Sequence, residues 1–108
     1  MTKEQAQQKC REYIEEYNKL IADVKSIKNY QYSSYCTDFL RGMHNKKAEA
    51  FKLENIIFNS TNENFDSEKI EKQLEDTKKK IVNAYSELEF IKTKGPFKDP
   101  YGSSGMYR

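Results

Sequence analysis

The chain has 108 residues, of which 36% are apolar and 33% are charged. This length suits one small domain, and so high a charged fraction excludes a wide globular core and favours thin amphipathic helices. The net charge is only +2, from 19 basic and 17 acidic residues, and because both signs are interspersed, there is no acidic or basic tail of the kind that binds nucleic acid.

The amino terminus shows no signal-peptide pattern, and no apolar run approaches the roughly 18 residues of a membrane span. Cys10 and Cys36 both lie in apolar stripes, where a free thiol behaves as a small hydrophobic group. Two cysteines are too few for a disulfide framework. We therefore expect a soluble, intracellular protein of the cytoplasm or another reducing compartment.

A seven-residue apolar repeat predicts the first helix. Thr2 and Gln5 match a capping box at its start, and we expect the helix to run to about Lys28. The apolar steps alternate between four and three residues, which is typical of a helix that packs along its length on others, and Ile14 and Ile21 widen the face. The stripe consists of Ala6, Cys10, Tyr13, Tyr17, Leu20, Val24 and Ile27.

The repeat loses its phase after Ile27, which predicts a turn in residues 29–34. Since no Gly or Pro interrupts this stretch, a continuous helix with a stutter is the alternative. A second helix is expected to start at Ser33 or Ser34, and Gly42 in its middle suggests the close approach of another backbone. The second stripe consists of Cys36, Phe39, Met43, Lys46, Ala50, Leu53 and Ile57, broadened by Leu40, Phe51, Ile56 and Phe58.

Polar, turn-favouring residues at 59–64 form the clearest break in the chain. Asp66 or Ser67 is expected to cap a third helix, with Phe65 packing on Ile70 as a hydrophobic staple. Gly95 and Pro96 predict its end after Lys94. The third stripe consists of Ile70, Leu74, Thr77, Ile81, Ala84, Leu88 and Ile91, with Val82, Tyr85 and Phe90 at its sides.

Three helices of similar length with short connections predict an all-α fold, an antiparallel three-helix bundle over residues 1–94. If residues 29–34 were helical, the same pattern would form a long helical hairpin that dimerises. Residues 95–108 contain both prolines and three of the four glycines. We predict that they form an extended, irregular C-terminal tail.

The sequence predicts neither an enzyme nor a bound cofactor or metal. His44 is the only histidine, and no cysteine or acid lies at zinc-ligand spacing from it. Phosphate loops and nucleophile elbows are absent. The acidic pairs Glu12–Glu16 and Glu71–Glu75 could hold a metal only if buried, and since they lie off the apolar stripes we expect surface ion pairs.

We predict a non-catalytic protein–protein interaction module, a small accessory or adaptor subunit of a larger assembly, with a protein partner or self-association. Tyrosines crowd the first connection, and aromatic clusters are enriched at interfaces, although capping the end of the core is the competing interpretation. The tail carries further bulky apolar residues. The candidate partner-binding residues are Tyr30, Tyr32, Tyr35, Phe97, Tyr101, Met106 and Tyr107.

Two alternative functions stay open. One is binding of nucleic acid or nucleoprotein through basic residues that include three consecutive lysines at 78–80. Acidic residues lie shortly before these lysines in the sequence, which favours a solvated helix face instead. The other is a small helical partner protein of a secretion or phage system. Tyr85 and Glu89 fit a tyrosine-x-x-x-acid pattern, but about one such match is expected by chance in this composition, so the match carries almost no weight. The residues for nucleic-acid binding are Lys46, Lys47, Lys78, Lys79 and Lys80.

Overall fold

The computed structural model describes residues 1–95, which fold into three α-helices. The helices are α1 (Lys3–Lys25), α2 (Ser34–Asn59) and α3 (Ser67–Lys94). Helix α1 packs on both of the others, most extensively on α2, whereas α2 and α3 touch each other sparingly. The predicted three-helix bundle is confirmed, and residues 96–108 of the predicted tail lie outside the described residues.

The first helix starts as predicted and ends earlier. The Gln5 N–H donates to Thr2 Oγ1 at 3.1 Å, and the Thr2 N–H donates to Gln5 Oε1 at 2.9 Å, which completes the capping box. At the other end, the Ser26 hydroxyl donates to the Asp23 carbonyl. A serine side chain that bonds to the backbone competes with continued helix, and α1 therefore ends at Lys25 rather than at Lys28.

The predicted turn after α1 is confirmed, and the continuous-helix alternative is wrong. Asn29 adopts a left-handed conformation with φ 62°, which Asn tolerates better than most residues. A short 3-10 turn follows at Tyr30–Tyr32. The buried Ser33 then accepts a hydrogen bond from the Cys36 N–H at 3.3 Å and caps α2.

The start of α3 matches the sequence signals. Asp66 Oδ1 accepts a hydrogen bond from the Lys69 N–H at 3.1 Å, so Asp66 is the cap. Phe65 is partly buried against the cluster that contains Ile70, as expected for a staple. At the other end, the Gly95 N–H bonds to the Ile91 carbonyl, and the helix stops at Lys94.

The buried stripes of the described residues form two apolar clusters along the bundle. The larger lies towards the α1–α2 connection and contains residues such as Tyr17, Met43 and Leu88. The smaller, at the opposite end, consists of Ala6, Cys10, Leu53, Ile57, Ile70 and Leu74. Tyr13 packs on both clusters and so links the two halves of the core.

Two expectations about α2 are wrong. Among residues 1–95, no atom of a neighbouring element lies within 4 Å of a Cβ built on Gly42, so no backbone of the described part approaches it closely. Phe51, Ile56 and Phe58 were expected to broaden the apolar stripe, yet all three are exposed. The stripe itself is wide enough to meet α1 and α3 without them.

Candidate interaction surface

The C-terminal half of α2 carries two exposed phenylalanines on one face. Phe51 is 45% exposed and Phe58 is 66% exposed. Residues seven apart lie almost in line on a helix, so these rings share a face, which we call the Phe51–Phe58 face. On the core side of the same segment, Leu53 and Ile57 are buried.

Charged groups surround the Phe51–Phe58 face. The Lys47 Nζ lies 5.9 Å from the centroid of the Phe51 ring, within the range of a cation–π contact. Glu54, between the two phenylalanines in the helical repeat, pairs with Arg11 of α1 at 3.2 Å. Two aromatic side chains beside charges of both signs resemble the apolar centre and polar rim of a protein interface.

Tyr85 on α3 is engaged within the bundle. Its hydroxyl donates a hydrogen bond to Glu16 of α1, and this bond, with partial burial and the charges of Glu16 and Asp23, raises the pKa of Tyr85 to about 12. About two helical turns after Tyr85, the Lys92 Nζ donates a hydrogen bond to Asp23 Oδ2 of α1 at 2.8 Å. Tyr85 is the tyrosine of the tyrosine-x-x-x-acid pattern, and its side chain thus contributes to the contact between α1 and α3.

The predicted tyrosine cluster divides between core and solvent. Tyr30 and Tyr35 are partly buried and pack against the larger apolar cluster, whereas Tyr32 is 77% exposed. Two of these rings therefore cap the end of the core, and the third faces solvent. The predicted tail residues Phe97, Tyr101, Met106 and Tyr107 lie outside the described residues.

A cavity of about 310 Å³ opens at this same end of the bundle, between the start of α2 and the end of α3. The sequence does not predict this cavity, because a repeat that predicts helix packing does not show where two helices separate. Its lining residues are Tyr35, Asp38, Phe39, Glu87, Phe90 and Ile91.

The lysines of the nucleic-acid hypothesis lie on two helices and have different surroundings. Lys80 of α3 pairs with Glu49 of α2 at 3.3 Å. Lys47 lies over Phe51, and Lys46 is partly buried. Lys78 and Lys79 line a shallow depression beside Val82. Nucleic-acid binding stays a prediction.

The Cys10 thiol and the Glu12 and Glu16 carboxylates differ in their surroundings, which determine their chemistry. Burial, with a smaller effect of the Glu54 charge, raises the pKa of Cys10 to about 11, so its thiol stays protonated near neutral pH and is a poor nucleophile. Glu12 and Glu16 each pair with a lysine at 3.6 Å. Within residues 1–95, no three His, Cys, Asp or Glu side chains come together as a metal site.

None of the helices within residues 1–95 combines the length and the apolar composition that crossing a bilayer requires. Comparison of the chain with protein-family models, with curated proteins and with solved structures found no match in any of the three. The geometry of the chain is therefore the basis for a functional proposal.

Proposed function

We propose that the protein is a non-catalytic interaction module, an accessory or adaptor subunit of a larger assembly, which binds a protein through the Phe51–Phe58 face. The observation that carries this proposal is the position of the two rings. They share one face of α2 and remain about half exposed or more, while Leu53 and Ile57 of the same segment complete the core.

Single exposed apolar residues are common on protein surfaces, so the distinguishing feature is the presence of two phenylalanines on one face of α2. Two phenylalanines one heptad apart present two rings on one face, about 10 Å from each other along the helix axis, and such spaced anchors are what a partner groove recognises on a helix. Phenylalanine is among the residues enriched at interfaces, where a few buried anchors carry most of the binding energy. Lys47 and the Arg11–Glu54 pair supply a polar rim that can set the orientation of the partner.

The test is affinity capture from the native source with the tagged full chain, followed by reconstitution with the captured protein. We expect Phe51→Ser with Phe58→Ser to weaken binding at least about 30-fold, the effect of losing one strong anchor of about 2 kcal/mol. The matched control is Ile56→Ser with Val82→Ser, because these residues are 56% exposed each and lie on other faces.

Self-association is measured on the same proteins by light scattering over a range of concentrations. A dimer that is lost in the phenylalanine variant and kept in the control would identify a second copy as the partner. The proposal is contradicted if the phenylalanine variant binds as tightly as the parent, or if the control variant loses binding equally.

A further inference from the structure

The cavity between α2 and α3 has an apolar floor and an open, partly acidic rim. Phe39 and Ile91 are buried beneath it, and Phe90 forms an exposed wall. Asp38 and Glu87 lie at the rim, and Glu87 forms no ion pair with any residue of the described part. A volume of about 310 Å³ is at the lower limit for ligand pockets, and suits one aromatic side chain rather than a helix about 10 Å across.

The chain leaves α3 close to this cavity. Phe90 and Ile91 precede Gly95 by four to five residues, which is about 6–8 Å along the helix axis. Gly95 has φ 93°, a conformation that glycine adopts freely and that turns the chain away from the helix. Two further residues span up to about 7 Å, so Phe97 is within reach of the cavity.

The composition of residues 96–108 fits the lining. Phe97 is the first aromatic residue after the helix, and Lys98 follows it directly. The Phe97 ring would then meet the apolar floor, and the Lys98 ammonium group would meet the Glu87 carboxylate. Tethering by a few residues gives an effective concentration in the millimolar range. A contact too weak to bind a free peptide is therefore strong enough to hold a segment of the same chain in the cavity.

We propose that the first residues of the segment 96–108 dock on their own bundle and that the Phe97 ring occupies the cavity between α2 and α3. This inference goes beyond the interaction proposed for the Phe51–Phe58 face and does not depend on it, because the two sites lie at opposite ends of α2. Docking covers the exposed Phe90 ring and adds a contact between α2 and α3, which touch each other sparingly.

The experiment is nuclear Overhauser spectroscopy on the isotope-labelled full chain. We expect contacts from the Phe97 ring protons to the side chains of Phe39, Phe90 or Ile91. Phe97→Ala should shift the amide resonances of residues 35–40 and 87–91. Met106→Ala is the matched control, because it changes an apolar residue farther along the same segment and should leave those resonances in place.

The proposal is overturned if the parent shows no such contacts and Phe97→Ala leaves the resonances of the cavity residues unmoved. A mixture of labelled and unlabelled chains distinguishes docking within one molecule from docking on a second copy, and contacts seen only between molecules would also overturn it. The same holds if the cavity resonances respond to a captured partner protein but not to Phe97→Ala. The contacts are read from the parent chain, so the result does not depend on the folding of a variant.

Discussion

At the scale of single residues, Tyr17 places a phenol inside the larger apolar cluster. Its side chain is 1% exposed, and burial, with a smaller effect of the Glu49 charge, raises the pKa of Tyr17 to about 12, against about 10 in an unfolded chain. Between these values the unfolded chain releases the proton and the folded chain keeps it. The free energy of unfolding therefore falls as the pH rises through this window, and the stabilisation is fully present below it.

Tyr17→Phe removes the ionisable hydroxyl group, and with it the contribution of this group to the pH dependence of stability. We expect the free energy of unfolding of the variant to fall less between pH 10 and pH 12 than that of the parent, by roughly 2 kcal/mol. Urea titrations at closely spaced pH values measure the difference. An equal fall in both proteins would show that the Tyr17 phenol ionises as readily in the folded chain as in the unfolded one.

The sequence predicted most residues of the core correctly, because a strict heptad leaves little choice of buried face. It did not predict the exposure of Phe51 and Phe58. Both are as apolar as Leu53 and lie close to it in the repeat, and the positions of α1 and α3 decide which side of α2 is covered. A residue at the margin of a stripe is thus core or binding surface according to tertiary packing.

At the scale of elements, the ends of the helices follow from local hydrogen bonds. Thr2, Ser33 and Asp66 each accept a backbone N–H at a helix start, and all three positions were among those predicted from sequence. The end of α1 was predicted three residues too late, since the apolar repeat continues to Ile27. The Ser26 hydroxyl bond to Asp23 and the left-handed Asn29 determine where the helix stops.

Gly42 is the weak point of α2. It lies inside the helix, and the space around a Cβ built on it is open, so the residue weakens the helix without a packing role among the described residues. We expect Gly42→Ala to raise the free energy of unfolding by about 0.5–1 kcal/mol. Urea denaturation of the full chain measures this change.

The matched control is Ala48→Gly, an exposed position in the same helix, which should lower the free energy of unfolding by a similar amount. A loss of stability on Gly42→Ala, with the expected loss at position 48, would contradict the open space found around Gly42.

At the scale of the whole molecule, α1 is the central helix and joins the other two into one core. The three stripes are satisfied within a single chain, so the fold does not require a partner helix, and the dimerising hairpin suggested by the repeat is not needed to explain burial. Spare apolar surface lies at both ends of α2, at the Phe51–Phe58 face and at the cavity beside Phe90, whereas Ile56 and Val82 are exposed singly on other faces. The periodicity of the sequence predicted the bundle, because three apolar stripes of matched length define it. The spaces between the helices depend on how far the helices diverge, and the spacing of apolar residues does not indicate that divergence.

Buried apolar residues such as Ile57 hold the bundle together, whereas the exposed Phe51 and Phe58 contribute little to folding. Urea denaturation of the full chain tests this difference by comparing Ile57→Ala with the double variant Phe51→Ala with Phe58→Ala. Ile57 is fully buried, and its truncation should lower the free energy of unfolding by about 2–5 kcal/mol, whereas the double variant should lower it by less than about 1 kcal/mol. A double variant that loses as much stability as Ile57→Ala would place the two phenylalanines in the core and contradict the account.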